Sequence, residues 1–131
     1  MALIFDQLRS FFVAKEKISM AFLFGSVATG KELAESDVDV AVWFDGKYTL
    51  KEVDQLWLEI ETCIHREVDL IVLNQARPTV AWAALRGKPL SIKNYRLYLN
   101  KMLDFSREAE DFQNFIFDFW NLRRKIRGAL A

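Results

Sequence analysis

The chain has 131 residues and a mass of 15.3 kDa, with 52% hydrophobic, 27% charged and 14% aromatic residues. At roughly 100–200 residues per domain this is one domain over 1–131, and eleven Phe and four Trp at a mean hydropathy of +0.03 exclude a solvated coil. Eighteen Lys and Arg balance eighteen Asp and Glu, so the broad basic field of a dedicated nucleic-acid binder is missing and no direct nucleic-acid binding is expected.

No apolar run approaches the ~18 residues of a membrane span. The opening stretch MALIFDQLRSFF has an early Asp6, no basic leader and no small-residue cleavage site, and reads as part of the fold. Cys63 is the single cysteine, so no intramolecular disulfide can form and a reducing cytoplasm is the expected location.

Residues 3–16 place Ile4, Leu8, Phe11 and Phe12 at helical spacing. Ile18 to Phe24 is continuously apolar and reads as a strand covered on both faces. Gly25 to Ser36 is a small, polar loop, and Val38 to Phe44 is a second strand closed by Asp45-Gly46. Thr49 and Glu52 have capping-box spacing and open a helix with an apolar stripe of Val53, Leu56, Trp57, Ile60 and Ile64. Glu67 to Leu73 is a third strand. Pro78 lies in a first helical turn, and Gly87 with Pro89 stops that helix at Arg86. Leu90 to Lys93 is a short strand, and Tyr95 to Ile126 is helical in period. This intermixed order predicts an α/β (α+β) sandwich whose small sheet is covered mainly on one face. FIFDFW (115–120) is apolar nearly all round its helix, which points to a partner or self-association surface. The basic block Arg123, Arg124, Lys125 and Arg127 suits a helix C-terminus.

The chemistry concentrates between residues 24 and 69. Side chains alternate along a strand, so Asp37 and Asp39 point to one face about 7 Å apart, at ~3.4 Å per residue. They stand at the mouth of an apolar strand, where paired like charges are costly unless compensated. Mg²⁺, a hard cation that prefers carboxylate oxygen and bridges to phosphate, is the natural compensator. Asp69 interrupts the third strand in the same way, and three carboxylates from adjacent strands can hold one or two divalent ions. Gly25 and Ser26 follow the first strand, where a glycine permits close backbone approach and a hydroxyl with exposed N–H groups binds phosphate. Taken singly, Gly-Ser reads as a capped turn and the acid pair as a solvated strand start; the conjunction points to phosphoryl chemistry. A competing motif fails: Gly25 to Lys31 spells GxxxxGK, but Glu32 stands where a P-loop requires Ser or Thr.

Gly25-Ser26, ten intervening residues and Asp37-Val38-Asp39 resemble the GSX10DXD signature of the DNA polymerase β-like nucleotidyltransferase superfamily. The short chain resembles its minimal nucleotidyltransferase (MNT) branch, the antitoxin half of HEPN–MNT toxin–antitoxin pairs. The resemblance spans about residues 1–93. It implies a nucleotidyltransferase fold, a small mixed sheet flanked by helices with a long C-terminal helix. It further implies ATP as donor and Mg²⁺ as cofactor. Gly25 and Ser26 would hold the triphosphate, and Asp37, Asp39 and Asp69 would be the catalytic, metal-ligating acids. The implied acceptor is a tyrosine of a HEPN ribonuclease, silenced by the transferred AMP.

Two other readings stand beside this one: an antitoxin acting by occlusion alone, and nucleotidyl transfer to a small molecule, which usually needs a further acidic substrate domain. A stoichiometric binder has no physical reason to keep three acids in apolar strands. His65 reads as a helix cap or surface residue, and no Arg precedes it by five to seven positions, so the chain is not itself a HEPN ribonuclease. Cys63, Trp43 and Trp57 read as core.

Overall fold

The computed structural model describes residues 2–25, 37–108 and 121–125. The FIFDFW segment, Ser26 and Arg127 lie outside the described residues. Helix α1 (Ala2–Val13) leads into β1 (Ile18–Phe24), followed by β2 (Val38–Phe44), α2 (Leu50–Ile64), β3 (Val68–Val72), α3 (Pro78–Leu85), β4 (Lys88–Ile92) and α4 (Tyr95–Glu108). Residues 121–125 are again helical.

The four strands form a mixed sheet in the order β3-β2-β1-β4. β1 pairs antiparallel with both β2 and β4, and β2 pairs parallel with β3. Parallel neighbours need a long crossover, which α2 supplies. Thr49 caps that helix, its Oγ1 accepting from the Glu52 N–H at 3.2 Å. The return half of the box differs from the expected one, because the Glu52 carboxylate takes the Thr49 hydroxyl and Lys17. His65 closes the helix in the left-handed conformation (φ 55°), its N–H donating to Glu61 O at 2.8 Å.

The sheet is covered on both faces, which corrects the one-sided sandwich expected from element order. A register shift between Ile18 and Met20 sets two β1 steps against one of β2, and the extra residue, Ser19, changes the parity of the strand. Ile18, Ala21 and Leu23 therefore face α1 and α2, with Val40, Val42 and Phe44 beside them and Leu8, Phe12, Leu56 and Ile60 above. Met20, Phe22 and Ala41 face the other way, under Trp82 and Leu85 of α3, Tyr98 and Met102 of α4, and Leu122. A continuous apolar run is the pattern a doubly covered strand requires. Cys63 and Trp57 are partly buried against the first layer and Trp43 against the second.

Two short devices fix the ends of the sheet. A 3₁₀ turn over Leu73–Gln75 presents Asn74, whose side chain accepts from Phe44 N–H (2.9 Å) and donates to Phe44 O (3.1 Å). At the other end α2 grips the first residue of β3. Trp57 Nε1 donates to Val68 O at 2.7 Å, and Val68 N–H donates to Glu61 Oε2 at 2.9 Å. Replacing Trp57 by Phe keeps the ring and orphans a carbonyl, a loss of about 1 kcal/mol. The urea midpoint of Trp57→Phe is expected to fall at unchanged m-value while amide exchange of β3 accelerates; an unchanged midpoint would refute the clamp.

Candidate active site

All three candidate acids lie at one end of the sheet, and Asp39 and Asp69 share one side of it. In β2 the residues Val38, Val40 and Val42 belong to the layer under α1 and α2, so Asp39 points with Ala41 to the opposite face. The same parity in β3 buries Val68 and Leu70 in the first layer and directs Asp69 with Ile71 to the second. Asp39 and Asp69 are direct partners in the parallel ladder, and across β1 Asp39 is the partner of Phe24. Asp37 stands immediately before β2 and is exposed, as is Asp69, whereas Asp39 is partly buried.

The carboxyl of Asp39 is held above its ordinary value of 3.8, first by burial and then by repulsion from Asp69 and Asp37. Gly25, directly after β1, explains how this side chain is accommodated. Its φ is +77°, and a Cβ built there would lie 2.2 Å from Asp39 Oδ2. Glycine is needed twice over, for a backbone conformation that L side chains resist and for the space that the carboxylate occupies. Gly87, immediately before β4, is also tightly pressed, with Leu23 O 2.6 Å from a built Cβ.

Three carboxylates are an all-oxygen donor set suited to a hard divalent cation such as Mg²⁺. The register brings Asp39 and Asp69 side by side and places Asp37 within electrostatic reach. It does not draw their side chains into a finished cage: among the described residues no three His, Cys, Asp or Glu converge as metal ligands. Ser26, the other half of the Gly-Ser pair, lies outside the described residues. Sequence reasoning missed the clamp of Trp57 and Glu61 that holds the strand of Asp69. The available signal was their spacing of one helical turn shortly before that strand.

A family model described as polymerase beta, nucleotidyltransferase matches residues 6–96, which include both acid-bearing strands and the Gly-Ser pair. The chain belongs to this nucleotidyltransferase family. It is also similar, at 31% identity over 64 residues, to a protein of Methanocaldococcus jannaschii named as an inferred protein adenylyltransferase; the match covers 49% of this chain and 69% of that one. Its fold is that of a chain from a toxin–antitoxin complex crystallised with AMP-PNP (TM-score 0.68, 18% identity, 95% of this chain and 98% of that one). A similar likeness links it to a chain of the complex between a tri-AMPylated Shewanella oneidensis HEPN toxin and an MNT antitoxin (TM-score 0.61, 18% identity, 96% and 99%). The nucleotidyltransferase fold expected from the Gly-Ser and Asp-x-Asp motif is thus the one observed. Among the described residues no helix is long and apolar enough to cross a membrane.

Two expectations follow from the crowding at Asp39. A carboxyl whose folded pKa is raised binds more protons folded than unfolded, so stability is lost as pH rises from the ordinary value through the raised one. Asp39→Asn is therefore expected to raise the melting temperature of the metal-free protein at pH 7, and the gain should vanish below pH 3.8; a gain independent of pH would show that repulsion is not its source. Gly25→Ala should cost about 1–2 kcal/mol from the backbone alone, plus the displacement of Asp39. In an Asp39→Ala background that second part disappears. Strict additivity in urea unfolding of the two single and the double variants would rule out the contact.

Proposed function

We propose that this nucleotidyltransferase is a Mg²⁺-dependent antitoxin that transfers AMP from ATP to a tyrosine of a cognate HEPN ribonuclease toxin. The observation that carries the reading is the ladder pairing of Asp39 with Asp69 beside Asp37, with Asp39 packed against a glycine that leaves room for its carboxylate. The inferred adenylyltransferase relative and the AMPylated toxin of the Shewanella complex support the choice of AMP and of a protein acceptor. AMP-PNP in the related complex supports ATP as donor.

In this reading Asp37 and Asp39 hold the metal, and Gly25 and Ser26 receive the triphosphate. Bound Mg²⁺ supplies neutralisation of the phosphate charge and of the carboxylates themselves. Asp69 serves as a further ligand and accepts the proton of the attacking hydroxyl. The acceptor oxygen forms a bond to the α-phosphorus, the bond from that phosphorus to the bridging oxygen breaks, and pyrophosphate leaves. Phosphoryl transfer asks mainly for positioning and charge stabilisation, which two acids on paired strands and a third just before them provide.

The test is intact mass spectrometry of the purified chain with the HEPN protein encoded beside it, Mg²⁺ and each of the four nucleoside triphosphates. An increment of one or more AMP units on the partner is expected with ATP. Asp37→Asn/Asp39→Asn should stay folded by circular dichroism and transfer at least about a hundredfold more slowly. A stable complex with no increment on either protein would instead assign neutralisation to occlusion.

A further inference from the structure

A cavity of about 160 Å³ opens on the same face of the sheet as the acids, between the end of α3, the start of β4, α4 and the helical residues 121–125. Its floor includes Pro89, Met102 and Leu122, and its polar and charged lining includes Arg86, Asn121 and Lys125 beside Tyr98, whose hydroxyl donates to Leu85 O. Met102 and Leu122 belong to the layer that covers Phe22 and Ala41, so floor and carboxylates share one side of the sheet. Their separation follows from the ladder. A Cβ on Gly87 would lie 2.8 Å from that of Phe24, and Phe24 is the partner of Asp39. With strands about 4.8 Å apart, Gly87 stands two spacings, about 10 Å, from Asp39.

Resting on the nucleotidyltransferase reading above, we propose that this cavity receives the base of the nucleotide donor and that Asn121 is its specificity-determining residue. The volume is well under the about 300–1,000 Å³ of a site for a whole drug-sized ligand, which fits one flat ring system and not a base with its phosphates. The cavity has two exposed cations at its mouth and an apolar floor, and Gly87 in its wall stands about 10 Å from Asp39 across the sheet. A nucleotide presents complementary parts: metal-bound phosphate for the acids, further phosphate and sugar for the cations, and an uncharged base for the floor. Arg86 and Lys125 are exposed, and the Arg86 guanidinium lies 5.4 Å from the centre of the Trp82 ring, which steadies it at the mouth. Asn121, half buried, offers a donor and an acceptor in one plane, the pairing that suits an adenine edge.

Calorimetry on the full chain with Mg²⁺ separates base from phosphate, using ATP, GTP and inorganic tripolyphosphate as ligands. Asn121→Ala is expected to weaken ATP about tenfold, narrow the preference for ATP over GTP, and leave tripolyphosphate unchanged. Equal weakening of ATP and tripolyphosphate would make the cavity a phosphate site and overturn the proposal. Wild-type affinity for ATP in the variant, with AMP transfer intact, overturns it while leaving the proposed function standing; loss of the HEPN partner in that variant would reassign the cavity to a protein surface. A wild-type chain that binds no ATP and transfers nothing overturns both.

Discussion

The parallel register between β2 and β3 is the constraint from which the site follows. It sets Asp39 against Asp69, and since side chains alternate, a slip of one residue would move one acid to the face of α1 and α2. That face is a close-packed apolar layer in which an unpaired carboxylate would be severely penalised. The core thus enforces the site: Val38, Val40, Val68 and Leu70 fill the first layer only in the register that brings the acids together on the other side. Helix α2 serves the same end twice, as the crossover that makes parallel pairing feasible and as the source of the two side chains that fasten Val68.

The second constraint is electrostatic and runs against stability. Asp39 is partly buried between two acids, and its raised pKa records the strain of that arrangement. Structural economy would replace it with an apolar residue, as Ala41 two positions on replaces nothing that needs charge. Sites where local stability is given up are where function is sought, and Gly25 shows the backbone adapting to the acid rather than the reverse.

Much of this was legible in the residues. The strands at Ile18–Phe24 and Val38–Phe44 have the bounds read from their apolar runs, and Thr49, Pro78 and His65 mark helix ends by mechanisms that are local and therefore visible in sequence. The acids were legible as charged interruptions of apolar strands. The double cover of β1 was legible in its continuous apolar run, but which of its residues face which layer was not, because that depends on a single unpaired residue at Ser19 whose effect on parity appears only once a neighbouring strand is laid beside it. The grip of Trp57 and Glu61 on Val68 was hidden for a similar reason: an aromatic in an apolar stripe reads as core, and its indole N–H finds its acceptor only in the assembled fold. Gly87 was read as a helix stop, and the main-chain oxygen of Leu23 pressed against it adds a requirement from across the sheet.

The strand order has a consequence for how the molecule can be divided. The three strands beside the acids are consecutive in the chain, spanning residues 18–72, and β4 is added later at the far side of β1. A fragment ending at β3 would contain every candidate carboxylate, yet Met20, Phe22 and Ala41 would be bare, because their cover comes from α3, α4 and Leu122. Such a fragment would expose an adhesive apolar face beside its candidate carboxylates. The acid-bearing half is not a transplantable module, and the later third of the chain is as much a part of the enzyme as the residues that name its family.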